Sequence, residues 1–369
     1  MRALLAERLL ATVMDWSPED IARERPILEV LARLKYDEYQ QFSPGMRFVE
    51  SLAYWLSQFR SPGERETAYQ FFRSKLIFFS TAEMNHFVSM AYPDHIRPHL
   101  LRKAAADFGV NAWHLPRAVG RQELAVLERQ TLYLGLSDGA RTDVFRRFNP
   151  DLSHEQVRQS HEIAEERVDK LIEKLRKGLA GILGAAPSDE QCLFRTVVLL
   201  DDFSGSGVSY LRHEGDVWEG KVGTLLTSLL NPSDPMTGLV NTADLDILVV
   251  LYIATDYATR YLSRELQAIC GPQKIRGRLS VVCSLGDHVR IERGQHPPLD
   301  AVIDAYYDDE NETASTKLGG TDLKYGFQAC GLPVVLTHNT PNNSIGLLWA
   351  KGSAMRPLFP RISRHKDRV

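Results

Sequence analysis

The sequence predicts an α/β protein with a doubly wound, mostly parallel sheet and a helical N-terminal region. Three observations point to this class. Short apolar runs recur from about residue 126 onward, and near-continuous apolar runs are typical of parallel strands covered on both faces. Helical segments separate these runs, as βαβ crossovers require. Residues 1–125, by contrast, show helical periodicity and few strand signals.

The N-terminal region, residues 1–125, is predicted to be a helical region with few strand signals. Residues 17–20 read Ser-Pro-Glu-Asp, which indicates a helix N-terminus because serine caps the first turn and proline is tolerated at its first position. Further along, apolar side chains recur at helical spacing at Phe48, Leu52, Trp55, Leu56 and Phe59. We interpret this aromatic stripe as core packing.

The second part, residues 126–369, is predicted to be the α/β domain. Its strand candidates are 131–136, 195–200, 245–253, 278–284 and 332–337. Between the first two we expect a long helix that begins at Ser153, with Gln156 three residues later completing a capping box. The solvent-exposed side of that helix would carry a charge run of Arg158, Glu165, Arg167, Lys170, Lys174 and Lys177, which is typical of a solvated face. Ligands of such sheets bind beyond the carboxyl ends of the strands, so the candidate site lies there.

Composition limits the function classes. At 369 residues and 44% hydrophobic content the chain can bury a large core. A net charge of −3 gives no general attraction to nucleic acid or anionic membranes, although it does not exclude nucleic acid. No apolar run is long enough for a bilayer span, and charged residues interrupt the apolar segment 1–16. A cytoplasmic protein without zinc site or disulfides is expected, since the cysteines are scattered at Cys192, Cys270, Cys283 and Cys330.

The most informative segment is 197–209, which reads VVLLDDFSGSGVS. Four apolar residues predict a short buried strand, Asp201 and Asp202 follow it, and small residues then turn the chain. Glycines let the backbone bring several N–H groups toward an anion, and a following helix start adds positive partial charge. The two carboxylates can accept hydrogen bonds from sugar hydroxyls. The segment therefore predicts a site for a sugar diol and a phosphate.

This segment resembles the motif with which type I phosphoribosyltransferases bind 5-phosphoribosyl diphosphate (PRPP). The resemblance implies that Asp201 and Asp202 bind the ribose 2′- and 3′-hydroxyls. It also implies Mg²⁺ as the cofactor, carried with the pyrophosphate, with the same two acids as candidate metal ligands. The loop around the 5′-phosphate would consist of Ser204, Gly205, Ser206, Gly207, Val208 and Ser209.

An upstream segment has the pattern of a second phosphate loop. Residues 131–136 predict a strand, 137–141 a turn and 142–147 the start of a helix. In phosphoribosyltransferases a strand, turn and helix upstream of the PRPP motif bind the pyrophosphate. Gly139 permits close approach of the backbone, and the Arg141 guanidinium can clamp phosphate oxygens. By this resemblance the pyrophosphate and its Mg²⁺ would be held by Ser137, Asp138, Gly139 and Arg141. Arg141 thus joins the two acids as a candidate catalytic residue.

A polar turn after the last strand candidate is the third feature. Residues 337–344 read THNTPNNS, and such side chains offer several donors and acceptors on a turn fixed by proline. His338 has the pKa range of a general base. Recognition of a base edge or another acceptor would use His338, Asn339, Asn342 and Asn343. The alternative, an asparagine-rich turn that satisfies its own backbone, stays open.

Together these segments resemble phosphoribosyltransferase-like proteins encoded in bacterial conflict, or anti-phage, gene clusters. The resemblance implies a defence role beside partner proteins, with Mg-assisted transfer or cleavage at the ribose anomeric carbon. One alternative is a catalytically silent nucleotide sensor that regulates a partner. Another is a methyltransferase dependent on S-adenosylmethionine, because residues 202–207 also fit an acid-Phe-x-Gly-x-Gly turn. The acceptor and the oligomeric state, a homo-oligomer included, stay open.

Overall fold

A computed structural model of the chain describes residues 3–111, 113–114, 122–160, 165–313, 316, 318–352 and 355–362. The chain divides into two compact units. The first consists of Met1–Glu83 and Asp287–Val369, and the second of Met84–Gly286. The division expected at residue 125 remains a prediction about domain organisation, and residues 115–121 of the predicted helical region lie outside the described residues.

In the described residues four α-helices precede the first strand, and strands and helices are interspersed from there on. The strands are β1 Ile77–Phe79, β2 Thr131–Gly135, β3 Val157–Arg158, β4 Thr196–Ser204, β5 Arg212–Glu214, β6 Val217–Glu219, β7 Asp246–Thr255, β8 Arg276–Leu285 and β9 Val334–Leu336. The α-helices are α1 Ala3–Met14, α2 Pro18–Leu34, α3 Phe48–Ser57, α4 Pro62–Lys75, α5 Thr81–Met90, α6 Arg97–Asp107, α7 Gln122–Arg129, α8 Thr142–Phe148, α9 Glu165–Leu183, α10 Lys221–Leu230, α11 Asp256–Cys270, α12 Pro297–Tyr306 and α13 Gly346–Trp349. Among the helices of the described residues, none combines the length and hydrophobicity that crossing a bilayer requires.

The second unit is built on a five-stranded sheet in the order β3-β2-β4-β7-β8, with every pairing parallel. This arrangement confirms the predicted α/β class, and four predicted strands become β2, β4, β7 and β8. One face of the sheet packs against α9, α10 and α11 through residues such as Leu132, Val197, Leu199, Ile247, Val249, Leu175, Leu226 and Leu262. The other face meets the π-helical segment Ala91–Ile96, where the Tyr92 and Tyr133 ring centroids lie 6.5 Å apart. Helices therefore cover both faces, and the three interior strands β2, β4 and β7 are almost entirely buried.

The strand predicted at 332–337 does not join this sheet. Its core, β9, pairs in parallel with β1 as a separate two-stranded sheet in the first unit, with Phe78 opposite Val335. An apolar run of this kind identifies a buried strand but not its partner, and here the partner is a three-residue strand in the predicted helical region.

The long helix predicted to begin at Ser153 is a second correction. Among the described residues it begins at Glu165, and His154–Gln156 form a 3-10 turn. The Gln156 side chain does not cap a helix, because its Nε2 donates to the carbonyls of Glu128 at 2.9 Å and Thr131 at 2.7 Å. These bonds tie the chain to the start of β2, and the next two residues continue as the edge strand β3.

A buried charge network holds the amino ends of the strands in the second unit. Asp246, the first residue of β7, is buried and accepts Lys103 Nζ at 3.0 Å and Arg276 Nε at 2.6 Å. His99 Nε2 lies 3.0 Å from its other oxygen. Burial alone would raise the pKa of Asp246, but His99 and the two cations together lower it to about 2. The network ties helix α6 to β7 and β8.

Asp246→Asn should lower the free energy of unfolding by about 2 kcal/mol at pH 7, because each pKa unit corresponds to about 1.4 kcal/mol. A lowered carboxyl pKa stabilises above the ordinary pKa near 4, and the stabilisation is lost as the pH falls toward about 2. Urea unfolding across this range should therefore show the wild type converging on the variant in acid. Asp216→Asn, at an exposed turn, is the control. A gap that widens toward low pH would contradict the assignment.

Candidate functional site

The turn after β2 consists of Ser137–Arg141. Ser137 caps the 3-10 turn Asp138–Ala140, where its Oγ accepts the Gly139 N–H at 3.1 Å. Arg141 follows with φ 47° and ψ 44°, a left-handed conformation that few residues other than glycine adopt. This reversal separates the turn from α8, and Arg141 Nη1 donates to Asn85 Oδ1 at 3.2 Å. The guanidinium is thus anchored in a half-buried position.

Tyr252 of β7 supports this turn from within the sheet. Its hydroxyl donates to the Ala140 carbonyl at 2.6 Å, and the side chain is fully buried. Burial raises the pKa of Tyr252 well above 10, and the charges of Asp201 and Asp202 raise it further. The phenol therefore keeps its proton at neutral pH and remains a hydrogen-bond donor to the turn.

The two acids of the motif are part of strand β4 rather than the first residues after it. Pairing with β7 continues to Ser204, which lies opposite Ala254. Successive side chains of a strand point to opposite faces, and the two acids differ accordingly. Asp201 is fully buried, whereas Asp202 is half-buried.

Both carboxylate oxygens of Asp201 accept hydrogen bonds from the protein. Oδ1 accepts the Ser137 hydroxyl and, at 3.1 Å, the Asp202 N–H. Oδ2 accepts Lys221 Nζ at 2.6 Å. Burial raises the pKa of Asp201; the charge of Asp202 adds to the rise, while Lys221 and Ser137 oppose it. Asp201 therefore joins the end of β4 to the turn after β2 and to the start of α10.

Asp202 lies directly against the backbone of Gly139. Its Oδ1 accepts the Phe203 N–H at 2.8 Å. A methyl group added at Gly139 would lie 2.2 Å from Asp202 Oδ2 and 2.5 Å from Cγ, so only glycine permits this approach. With the bond between Ser137 and Asp201, this contact brings together the two turns at the carboxyl ends of the neighbouring strands β2 and β4.

The loop after β4 is held by its own side chains and by β7. Ser204 Oγ accepts the Gly207 N–H at 3.1 Å, and Thr255 Oγ1 donates to the Gly205 carbonyl at 2.7 Å. Gly207 has φ 85°, and a methyl group there would lie 2.6 Å from Tyr261 of α11. Within the part of the chain that the structure describes, three loop N–H groups have no protein acceptor: those of Ser206, Val208 and Ser209. Such groups are suited to an anion.

The sequence predicts a helix directly after this loop. In the structure a hairpin lies between the loop and the next helix, α10. Strands β5 and β6 pair around a turn at Gly215, whose φ is 60°. At the base of the hairpin, the Lys221 N–H donates to the Ser209 carbonyl at 3.2 Å and the Val222 N–H to the Tyr210 carbonyl at 2.8 Å. The chain thus returns to the point where it left, which brings Lys221 to Asp201.

The donor set fits a magnesium ion that arrives with phosphate better than a site built from protein alone. Among the described residues, no group of three or more His, Cys, Asp or Glu side chains is arranged to hold a metal. Mg²⁺ is often bound through one or two carboxylates together with substrate phosphates. The half-buried Asp202 can supply such a carboxylate, whereas Asp201 is fully buried and both of its oxygens accept protein donors.

Comparison with known families decides the affiliation. The model of the PRTase-CE family matches residues 52–361 of the 369-residue chain. The chain belongs to the PRTase-CE family. No curated protein and no solved structure matches it. Membership in PRTase-CE, a phosphoribosyltransferase-type family, confirms the resemblance drawn from residues 197–209 and favours it over the methyltransferase alternative.

In this PRTase-CE protein the polar turn 337–344 belongs to the first unit. Asn339 Nδ2 donates to the Ile362 carbonyl at 3.1 Å, and buried Asn343 donates to the Phe327 carbonyl at 3.3 Å. The Asn342 carbonyl accepts the Phe327 N–H. These bonds support the backbone of the first unit; substrate contact by His338 and the three asparagines stays a prediction.

Sequence reasoning missed three residues that organise the PRTase-CE candidate site. Lys221 pairs with Asp201, Tyr252 bonds the turn after β2, and Asn85 accepts from Arg141. Lys221 could have been found from the Gly-Asp pair at 215–216, a two-residue hairpin signal that returns the chain to its starting point. Tyr252 and Asn85 carry no such local signal, since their partners lie more than fifty residues away.

Proposed function

We propose that this PRTase-CE protein binds PRPP or a related nucleotide at the carboxyl ends of β2 and β4 and transfers or cleaves the phosphoribosyl group. We place this activity in the bacterial cytoplasm, in anti-phage defence beside partner proteins encoded with it. The observation that carries the proposal is the direct contact between the two turns, through Ser137 with Asp201 and Gly139 with Asp202. A phosphate loop and a pyrophosphate loop must adjoin if one PRPP molecule is to occupy both.

Each part of PRPP has a counterpart in the proposed site. The 5′-phosphate accepts the loop N–H groups of Ser206, Val208 and Ser209, which have no acceptor within the described residues. The half-buried Asp202 accepts the ribose hydroxyls. The turn 137–141 holds the pyrophosphate through its backbone and the Arg141 side chain. Asp201 positions these groups through its bonds to the neighbouring segments.

In the proposed reaction the bond between the anomeric carbon and the pyrophosphate oxygen breaks, and both bonding electrons leave with the pyrophosphate. A lone pair of the acceptor forms the new bond to that carbon. Positive charge that develops on the ribose is stabilised by the Asp202 carboxylate, and Arg141 neutralises the departing group. Mg²⁺, held by Asp202 and the substrate phosphates, supplies further neutralisation of the pyrophosphate when bound.

One observation favours a second candidate function, a nucleotide sensor that binds without turnover. Both oxygens of Asp201 accept protein donors, from Ser137 and Lys221, so Asp201 would not bind the ribose hydroxyls in the way that the family resemblance implies. Pyrophosphate release from PRPP and Mg²⁺, with a panel of bases as acceptors, supports the enzyme. Tight PRPP binding without release supports the sensor.

Asp202→Asn tests the proposed site. Charge-assisted hydrogen bonds contribute about 1.5–3 kcal/mol, so calorimetric titration with PRPP and Mg²⁺ should show affinity about 10- to 100-fold weaker than wild type. Asp216→Asn removes the same charge from the exposed hairpin turn and should leave the affinity unchanged. Equal affinities in wild type and a folded Asp202→Asn protein would overturn the assignment of the ribose site.

A further inference from the structure

A groove lined by basic side chains runs between β3 and α9 in the second unit. It encloses a cavity of about 690 Å³ and is here called the basic groove, defined by Arg158, Arg167, Lys170, Lys174 and Lys177. An adjoining cavity of about 410 Å³ shares Arg158 and Arg167 and extends toward α8, where Arg146 lines it. The sequence prediction had put these cations on one exposed face of a single helix. In the structure Arg158 is on a strand, so cations from separate elements converge on one groove.

The basic groove keeps a surplus of positive charge although the whole chain is slightly acidic. Of the residues that the structure describes, the acids that line it are Glu155 and Glu173. Glu155 is engaged by the buried Arg129 at 2.8 Å and is not available to the groove. Among the described side chains, none of the five cations that define the groove forms an ion pair. The surplus charge must therefore be balanced by solvent ions or by a ligand.

The spacing of the cations indicates an extended ligand. Arg167, Lys170, Lys174 and Lys177 are exposed and recur every three or four residues along α9. At about 1.5 Å per residue they span roughly 15 Å in steps of about 5 Å. One phosphate cannot reach across such an array, whereas a chain of regularly repeating phosphates can contact several of its members at once.

We propose that the basic groove binds the phosphate backbone of a nucleic acid. Its described lining residues include the apolar Leu171 and no aromatic side chain, so they offer charge for phosphates but no platform for base stacking. Binding is therefore independent of base sequence. The half-buried Arg158 lies within the groove, where a narrow polyanion can reach it and a flat membrane surface cannot. This site is separate from the proposed PRPP site and does not depend on it.

Fluorescence anisotropy of the full-length protein tests the groove with single-stranded RNA, single-stranded DNA and duplex DNA of about 20 nucleotides, at about 50–200 mM salt. The logarithm of affinity should fall linearly with the logarithm of salt, by about 0.7 per phosphate contact for a single strand and about 0.9 for duplex DNA. Five contacts give a slope no steeper than about −3.5 for a single strand and about −4.5 for duplex DNA. The nucleic acid that binds with the highest affinity identifies the kind of ligand.

The decisive variant is K170E/K174E, which reverses two exposed charges of the groove. We expect affinity at least about 10-fold weaker and, for a single strand, a slope shallower by about 1.4. The matched control is R8E/K75E, which makes the same change in net charge at exposed positions of helices α1 and α4. Its affinity should stay within about twofold of wild type, because neither residue lines the groove.

Three results would overturn the proposal. The first is the absence of nucleic-acid binding by wild type at low salt. The second is an equal loss in both double variants, which would indicate net charge rather than the groove. The third is binding of inorganic polyphosphate with none of the nucleic acids. PRPP titration of K170E/K174E should match wild type, so this test and that of the PRPP site fail or succeed separately.

Discussion

Lys221→Met should lower the free energy of unfolding by about 3–5 kcal/mol at pH 8, because it leaves a buried carboxylate without its counter-ion. The Lys221 side chain is 27% exposed, whereas that of Asp201 is 0% exposed. Lys324→Met is a matched control, since Lys324 is 25% exposed but its partner Asp304 is 39% exposed. Exposed pairs contribute about 0–1 kcal/mol. Urea unfolding of both variants measures the difference that burial of the acid makes.

The pair of Asp201 and Lys221 also predicts the direction in which stability changes with pH. Burial raises the pKa of Asp201 in the folded protein, so its contribution to stability is full below the ordinary pKa near 4 and falls as the pH rises through the folded pKa. Without Lys221 the folded pKa rises further. The loss of unfolding free energy in Lys221→Met should therefore be smaller at pH 5 than at pH 8. Adding Asp201→Asn should recover much of the loss, because removing both partners of a buried pair is often near neutral. Additive losses would contradict the coupling.

The parts of the site that were predictable are those whose chemistry is contiguous in sequence. Residues 197–209 contain the strand, the two acids and the loop, and residues 131–141 contain the second strand with its turn. In a parallel sheet both carboxyl ends meet at one edge. The chain pattern therefore indicated that the two turns would adjoin, although not that Ser137 and Asp201 would be the atoms in contact.

What the sequence did not reveal depends on partners that local patterns cannot identify. The two residues of β3 are too few to show the alternation of a strand. The hydrogen bond from the Gln156 side-chain amide to the Thr131 carbonyl, which ties this segment to the start of β2, has no local sequence signal. Strand β9 was located correctly but assigned to the wrong sheet, since its partner β1 lies more than 250 residues earlier. The difference in burial between Asp201 and Asp202 could not be predicted either. Asp201 is buried beside Lys221, and it is the hairpin of β5 and β6 that brings Lys221 to this position.

Gly139→Ala should abolish PRPP binding and destabilise the second unit. The added methyl group would lie 2.2 Å from Asp202 Oδ2, so the carboxylate must move. Overpacking of this kind costs about 1–3 kcal/mol. The displaced acid and the shifted turn would together lose two or more charge-assisted bonds, about 3–6 kcal/mol, which lowers PRPP affinity by more than about 100-fold. Calorimetric titration and urea unfolding measure the two effects on one protein.

A second substitution separates the clash from the chemistry. Gly139→Ala combined with Asp202→Ala removes the atoms that the methyl group meets, so stability should return while PRPP binding does not. The control, Gly181→Ala, adds a methyl group on helix α9 with nothing within 4 Å. It should raise stability by about 0.5–1 kcal/mol, as expected for glycine in a helix, and leave binding intact. PRPP binding by the double variant at wild-type strength would mean that Asp202 does not contact the ligand, and the ribose would then have to be held elsewhere.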